Sequence, residues 1–232
     1  MRFTSTLLAV AVSAAVGVAQ GTIRNSPHDF SAASWNTGAG LRTDQVCAVC
    51  HIPHVEGRPQ DRTTASLLWG RQLSTVTYTM YSSNSLNGTV DPQPTGSARL
   101  CLSCHDGSVA LDLYHTRTTS VANVYIPSDD RIPGKPGTAP GTDFSADHPI
   151  SITYNAGTGA GQDKYLRLET SPFPGTVAGQ TIADILEGGK VQCSSCHDVH
   201  NVEVPTGANH LLRIANNDAA SPSALCLACH IK

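Results

Sequence analysis

All eight cysteines of the chain belong to one short pattern, in which two cysteines separated by two residues are followed directly by a histidine. Two thiols about one helical turn apart can each form a thioether bond with a haem vinyl group, and the adjacent imidazole then lies beneath the iron. The pattern therefore predicts four covalently bound haem c groups, each with its iron held on one side by the motif histidine. The four motifs are Cys47-Ala-Val-Cys50-His51, Cys101-Leu-Ser-Cys104-His105, Cys193-Ser-Ser-Cys196-His197 and Cys226-Leu-Ala-Cys229-His230.

Two other uses of paired cysteines explain the pattern less well. Structural zinc sites use Cys tetrads or mixed Cys/His sets, which do not require a histidine directly after each pair. Disulfides are common in secreted chains, but they do not account for that histidine either. Haem attachment is the interpretation that uses every residue of the four motifs.

Six of the ten histidines remain outside the motifs: His28, His54, His115, His148, His200 and His210. Four of them are enough to give every iron a second axial imidazole. An iron with two protein ligands has no open position for a substrate and serves electron transfer. We therefore expect an electron carrier with no catalytic residues, not an enzyme.

The best candidates for the second, distal ligands are His54 and His200, because each lies three residues after a motif histidine. This short tether prevents either side chain from reaching the opposite face of its own haem. Each is therefore expected to bind the iron of a neighbouring haem, which would bring two haems into close contact.

His148 and His28 complete the predicted distal set. His148 precedes Pro149, which favours an extended backbone, and follows Asp147, whose carboxylate is a candidate acceptor for a ring N–H. His28 lies near the start of the predicted mature chain, before any motif.

Three other residues are not expected to bind iron. His115 and His210 lack a comparable context and are expected at the surface or against haem propionates. Met80 is the only methionine after the first residue, so methionine ligation is possible once at most, and we do not expect it.

The first residues indicate export. Arg2 is followed by an apolar run without charges over residues 7–18 and then by small residues, which predicts a signal peptide over residues 1–20. No later stretch is long and apolar enough to cross a bilayer. We expect a secreted protein at the cell surface or in the extracellular space, with the periplasm as the alternative, and no membrane span after cleavage.

The remaining sequence must hold the motifs with few aromatic and few charged residues. Only 5% of the 232 residues are aromatic and 14% are charged, whereas soluble domains have about 25% charged residues. The net charge of −3 excludes a strongly basic nucleic-acid-binding protein. Four haems would supply apolar bulk that the side chains lack.

The predicted secondary structure is sparse. Ser97 is expected to cap a helix through the second motif, residues 181–187 to form a helix ended by Gly188 and Gly189, and Ser221 with Pro222 to begin a helix before the fourth motif. Brief strands are expected at 74–81 and 150–154.

The expected fold class is mostly coil with short helices and few short strands, a multihaem c-type cytochrome fold organised around a chain of four haems. The first and third motifs share the pattern C-x-x-C-H-x-x-H, and the second and fourth share a leucine before each pair of cysteines. We interpret residues 21–232 as one tetrahaem domain with two di-haem units, about 21–110 and 185–232, joined by a Gly/Pro-rich wrapping segment. Local requirements common to all haem motifs would produce the same similarity.

Several segments in the same order along the chain carry a wider similarity: 21–31, 47–54, 68–71, 78–83, 100–107, 147–151 and 193–200. Together they resemble the four-haem extracellular cytochromes of the OmcE type, polymerising cytochromes often called cytochrome nanowires. The specific parts are the segments around His28, His54, His148 and His200. The resemblance implies bis-histidine haems, head-to-tail assembly into a filament, and electron conduction along a continuous haem chain to other redox proteins or extracellular acceptors.

The resemblance also implies that a histidine of one subunit can bind a haem of the next, and we hypothesise that His28 does so, because a ligand on a terminal arm crosses an interface most easily. Two other functions stay open. A discrete periplasmic electron carrier would have the same motifs, and a multihaem reductase would need an open iron, often marked by a C-x-x-C-K variant that does not occur here.

Overall fold

The structure is a computed structural model of the chain. It describes residues 23–31, 46–52, 68–114, 119–120, 124–127, 131–132, 141–202, 204–205, 210–216 and 223–231. The predicted signal peptide, His54 and His115 lie outside these residues. Across the described ranges, no helix is long and apolar enough to cross a membrane.

Short helices carry three of the four motifs. The described residues form helices α1 (Gly96–His105), α2 (Ile182–Ile185), α3 (Cys193–Cys196) and α4 (Ala224–Cys229). The second motif lies wholly in α1, whereas α3 and α4 contain the cysteine pairs of the third and fourth motifs and end just before the motif histidine. The first motif forms a series of turns. The expectation of mostly coil with short helices is confirmed for the described part of the chain.

The same backbone hydrogen bond closes three of the motifs. The N–H of the motif histidine donates to the carbonyl oxygen of the first motif cysteine, at 2.9 Å for His51, 3.0 Å for His197 and 2.9 Å for His230. This is the helical i to i−4 bond, so even the first motif contains one helical turn. The two cysteines of each motif are thereby held one turn apart, as thioether formation requires.

The start of α1 differs from the prediction. Its N-cap residue is Thr95, not Ser97. The Ser97 hydroxyl instead forms a 2.8 Å hydrogen bond with the Ser194 hydroxyl on α3, and the Ser97 N–H donates to the Glu187 carboxylate at 2.9 Å. A remote carboxylate therefore satisfies the free N–H at the start of this helix, and the serine side chain is used to join α1 to α3.

The helix predicted over residues 181–187 is shorter than expected. Thr181 is not its first residue but the N-cap of α2, in a capping box with Asp184, and the helix ends at Ile185 because Leu186 takes an extended backbone conformation. α4 begins at Ala224 with Ser223 as its N-cap residue, and the predicted start at residues 221–222 lies outside the described residues.

The described strands form one small antiparallel sheet. β1 (Ile152–Thr153) pairs with β2 (Lys190–Val191), with Ile152 opposite Val191. The predicted strand at 150–154 is therefore confirmed over two residues. The one predicted at 74–81 contains only an isolated bridge at Thr79. There, the Gln93 side-chain amide takes the place of a neighbouring strand.

The Gln93 side chain forms hydrogen bonds with both backbone polar groups of Tyr78. Its Oε1 accepts the Tyr78 N–H at 2.9 Å, and its Nε2 donates to the Tyr78 carbonyl oxygen at 2.9 Å. Residues 74–81 therefore have strand-like backbone without a ladder of their own.

The buried apolar residues form small separate clusters beside the motifs. The first cluster, which packs against Cys50 and Cys104, consists of Phe30, Val49, Leu111 and Tyr114. The second, which packs against Cys229, consists of Phe173, Ile185, Ile214 and Ala228. The third consists of Tyr78, Leu102 and Phe144. Each cluster is small for a single-domain core, and two of them lie directly against motif cysteines.

Candidate metal centres

Three motif histidines each face a second histidine from a distant part of the chain. The ring centroids of His51 and His200 are 6.3 Å apart. Those of His105 and His28 are 6.0 Å apart, and those of His230 and His148 are 6.2 Å apart. Every pair contains one motif histidine and one predicted distal histidine.

These distances match the spacing of two imidazoles on opposite sides of one metal ion. Such rings have centres roughly 6 Å apart, since each metal–nitrogen bond is about 2.0–2.1 Å long and the ring centre lies about 1 Å beyond the nitrogen. Within the described ranges, no group of three or more His, Cys, Asp or Glu side chains is arranged to hold a metal ion. Each pair therefore brings two imidazoles, and no third such side chain of the described residues, to one position.

Backbone carbonyls orient two of the imidazoles. Nδ1 of His197 lies 2.7 Å from the His210 carbonyl oxygen, and Nδ1 of His148 lies 3.0 Å from the Pro149 carbonyl oxygen. A histidine that donates its Nδ1–H in this way presents Nε2 to a metal. For His148 the acceptor is thus the Pro149 carbonyl, not the Asp147 carboxylate that the sequence indicated.

His28 reaches its position through a tight loop held by Asp29. The Asp29 carboxylate accepts the N–H of Asn25 at 2.8 Å and the N–H of Ser31 at 3.1 Å. Burial, with the nearby His105, lowers the pKa of His28 to about 4, so the ring is neutral, the form that binds a metal. Its Nδ1 is buried and has no hydrogen-bond partner among the described residues.

His28 lies beside a motif histidine of its own chain, His105. The hypothesis that His28 binds a haem of the next subunit stays a prediction. The loop over residues 23–31 folds back onto the first cluster through Phe30, and this places His28 next to α1.

Asp198 positions the loop that carries His200. Its carboxylate accepts the His200 N–H at 3.1 Å and the Val202 N–H at 2.7 Å, while Asn201 between them has a positive φ of 59°. The loop directs His200 towards His51 of the first motif rather than His197 of its own motif. This is the geometry that the three-residue tether predicts.

All eight motif cysteines lie in the described residues and are free thiols. The disulfide interpretation is therefore not supported by the structure. Burial raises the pKa of several of these thiols, to about 12 for Cys50 and about 11 for Cys196. Buried, neutral thiols are chemically inert until they are modified.

Successive motifs lie near one another in the order in which they occur along the chain. The first and second motifs share the first cluster through Cys50 and Cys104. In the second and third motifs, the Cys101 thiol is hydrogen-bonded to Cys193, which together with burial raises its pKa. In the third and fourth motifs, Cys229 adds to burial in raising the pKa of Cys196. The two predicted di-haem units are therefore in direct contact through α1 and α3.

His197 differs from the other three motif histidines. Among the residues that the structure describes, no second imidazole faces His197 at the distance seen in the other three pairs. His54, the remaining predicted distal ligand, lies outside them, as does His115. The His210 ring is exposed, and this residue contributes its carbonyl oxygen instead.

Sequence reasoning missed the residues that support the imidazoles. Trp69 lies edge-on to His51 with ring centroids 6.0 Å apart, and neither it nor Asp198 is part of a recognisable haem motif. The backbone carbonyls of Pro149 and His210 leave no sequence signal at all.

No protein-family model matches the chain, and no curated protein shows significant similarity to it.

Proposed function

We propose that this chain is a tetrahaem c-type cytochrome that carries electrons outside the cytoplasm. The observation that carries the proposal is the set of three histidine pairs, each spaced for one axially ligated iron. Four free cysteine pairs, each followed by one of the motif histidines, supply the covalent attachment points.

The residues of this chain would hold the haems and limit their chemistry. Each motif would hold one haem through its two cysteines and its histidine. At the first, second and fourth motifs the facing histidine would also bind the iron and so keep substrates from it. When bound, the haem groups supply iron that alternates between the ferric and ferrous states. The contacts between successive motifs would keep neighbouring haems within electron-tunnelling distance.

We further propose that subunits assemble head to tail into an extracellular filament with a continuous haem chain. This part rests on the resemblance to the OmcE-type cytochromes. A head-to-tail contact that does not close into a ring gives an open filament.

A discrete periplasmic carrier is the second candidate, and one observation favours it. His28 has its partner, His105, within the same chain. A single subunit therefore does not need a neighbour to complete that pair.

Two measurements test the proposals in turn. Mass spectrometry of the mature protein should give a mass increase of four haems, and electron paramagnetic resonance should give low-spin ferric signals. A protein without covalent haem would contradict the cytochrome proposal. Electron microscopy of sheared cell-surface material then separates filaments from discrete subunits.

A further inference from the structure

Arg71 carries a charge in the interior of the protein. Its side chain is 3% exposed. The guanidinium donates from Nη1 to the Leu111 carbonyl oxygen at 2.8 Å and from Nη2 to the Ala110 carbonyl oxygen at 3.1 Å, while Nε has no hydrogen-bond partner. In the part of the chain that the structure describes, no carboxylate lies within ion-pair distance of it. Two neutral backbone carbonyls thus hold this charge.

The residue before Arg71 is hydrogen-bonded to the first motif. The N–H of Gly70 donates to the Cys50 carbonyl oxygen at 2.7 Å. Leu111, whose carbonyl Arg71 binds, belongs to the first cluster, against which both Cys50 and Cys104 pack. The buried charge therefore lies beside the second cysteine of two motifs at once.

Two further contacts place Arg71 beside the first motif. Its backbone forms an isolated bridge with Tyr114, a member of the first cluster. Trp69, two residues before it, forms a bridge with His51 and lies edge-on to the His51 ring with centroids 6.0 Å apart.

We propose that Arg71 raises the reduction potentials of the haems bound at the first and second motifs, and thereby holds electrons at that end of the haem chain. This inference rests on the proposed cytochrome function. A ferric haem carries one more positive charge than a ferrous haem, so a nearby fixed cation disfavours the oxidised form. In the interior the interaction is screened much less than in water.

The test is a potentiometric titration of the haem-loaded protein with three variants. Arg71→Gln removes the charge but keeps an amide donor for the carbonyl oxygens, and Arg71→Lys keeps the charge. Arg167→Gln is the matched control, because this exposed arginine also donates to a motif backbone carbonyl, that of Leu227 at 3.0 Å, and solvent screens its charge.

In Arg71→Gln, we expect the ferrous-to-ferric ratio at a fixed potential to fall about tenfold for two of the four haems, a shift of about 59 mV. Arg71→Lys and Arg167→Gln should each change this ratio by less than about threefold, because the first keeps the charge and the second removes one that solvent screens. Unchanged potentials in Arg71→Gln would overturn the inference. So would equal shifts in Arg71→Gln and Arg71→Lys, which would indicate a purely structural role. Failure of the wild-type chain to bind haem would instead contradict the proposed function, and mass spectrometry detects that separately.

Discussion

His51 and His200 face each other with ring centroids 6.3 Å apart and ring planes only 19° apart, although they are separated by most of the chain. The first belongs to a C-x-x-C-H motif, and the second follows a different motif by three residues. The pair therefore connects the first motif to the third.

Replacing His200 should open one coordination position. In His200→Ala, we expect one of the four haems to change from low-spin to high-spin, because His51 loses the imidazole opposite it. Electron paramagnetic resonance and the visible spectrum of the ferric protein measure this change. The control is His210→Asn, which removes an exposed ring, keeps the carbonyl oxygen that orients His197, and tolerates the positive φ of 57° at this position. A fully low-spin His200→Ala protein would show that the pair does not share an iron.

Replacing His28 should have its effect within a single subunit. Because His28 faces His105 of the same chain at 6.0 Å, isolated His28→Ala subunits should show one more high-spin haem than isolated wild-type subunits. The measurement is made on subunits separated by size-exclusion chromatography. Equal high-spin signals in the two proteins would indicate that His28 binds a haem of another subunit.

Gly96→Ala should destabilise the start of α1. Gly96 has a φ of +51°, and a Cβ atom there would lie 2.5 Å from the Glu187 carboxylate, which accepts the Ser97 N–H. Gly179→Ala is the matched control, since Gly179 has a φ of +81° and nothing within 4 Å of the added atom.

The backbone cost of alanine at positive φ is about 1–2 kcal/mol in both variants. Loss of the carboxylate hydrogen bond should add about 1 kcal/mol for Gly96→Ala alone. Urea denaturation measures the difference in the free energy of unfolding. Equal losses in the two variants would mean that Glu187 does not stabilise the helix start.

The ion pair between Asp91 and Lys190 should make stability depend on pH in the acidic range. Lys190 Nζ lies 2.6 Å from Asp91 Oδ2. Burial acts to raise the pKa of Asp91, but the hydrogen bonds from Lys190 and Thr95 outweigh it, and the pKa is lowered from 3.8. The contribution to stability is therefore fully present above about pH 4 and is lost as the pH falls through the lower pKa of the folded state.

Asp91→Asn should thus reduce the free energy of unfolding at pH 7 by up to about 1 kcal/mol, since both side chains are partly exposed. The difference from wild type should shrink as the pH is lowered towards 3. Denaturant titrations at the two pH values measure it. A difference that is independent of pH would contradict a role for the ionised carboxylate.

The secondary structure shows what local sequence can and cannot predict. A helix was predicted over residues 181–187 and is present over Ile182–Ile185, because its signals are local. The predicted cap of α1 at Ser97 was wrong, because the Glu187 carboxylate that accepts the Ser97 N–H comes from a distant segment. Likewise, the strand predicted at 74–81 has no ladder, because the Gln93 side chain forms hydrogen bonds with the backbone N–H and carbonyl oxygen of Tyr78.

The sequence by itself determined the spacing of the cysteines and motif histidines and the chemistry that this spacing predicts, because haem attachment needs two thiols and one imidazole within five consecutive residues. It also identified His28, His148 and His200 as distal candidates. Only the tertiary structure decided that these three histidines lie beside His105, His230 and His51, respectively. It also decided that Arg71 is buried beside two motifs. Those contacts join segments far apart in the chain, and several depend on backbone carbonyls, which every residue has and no sequence pattern marks.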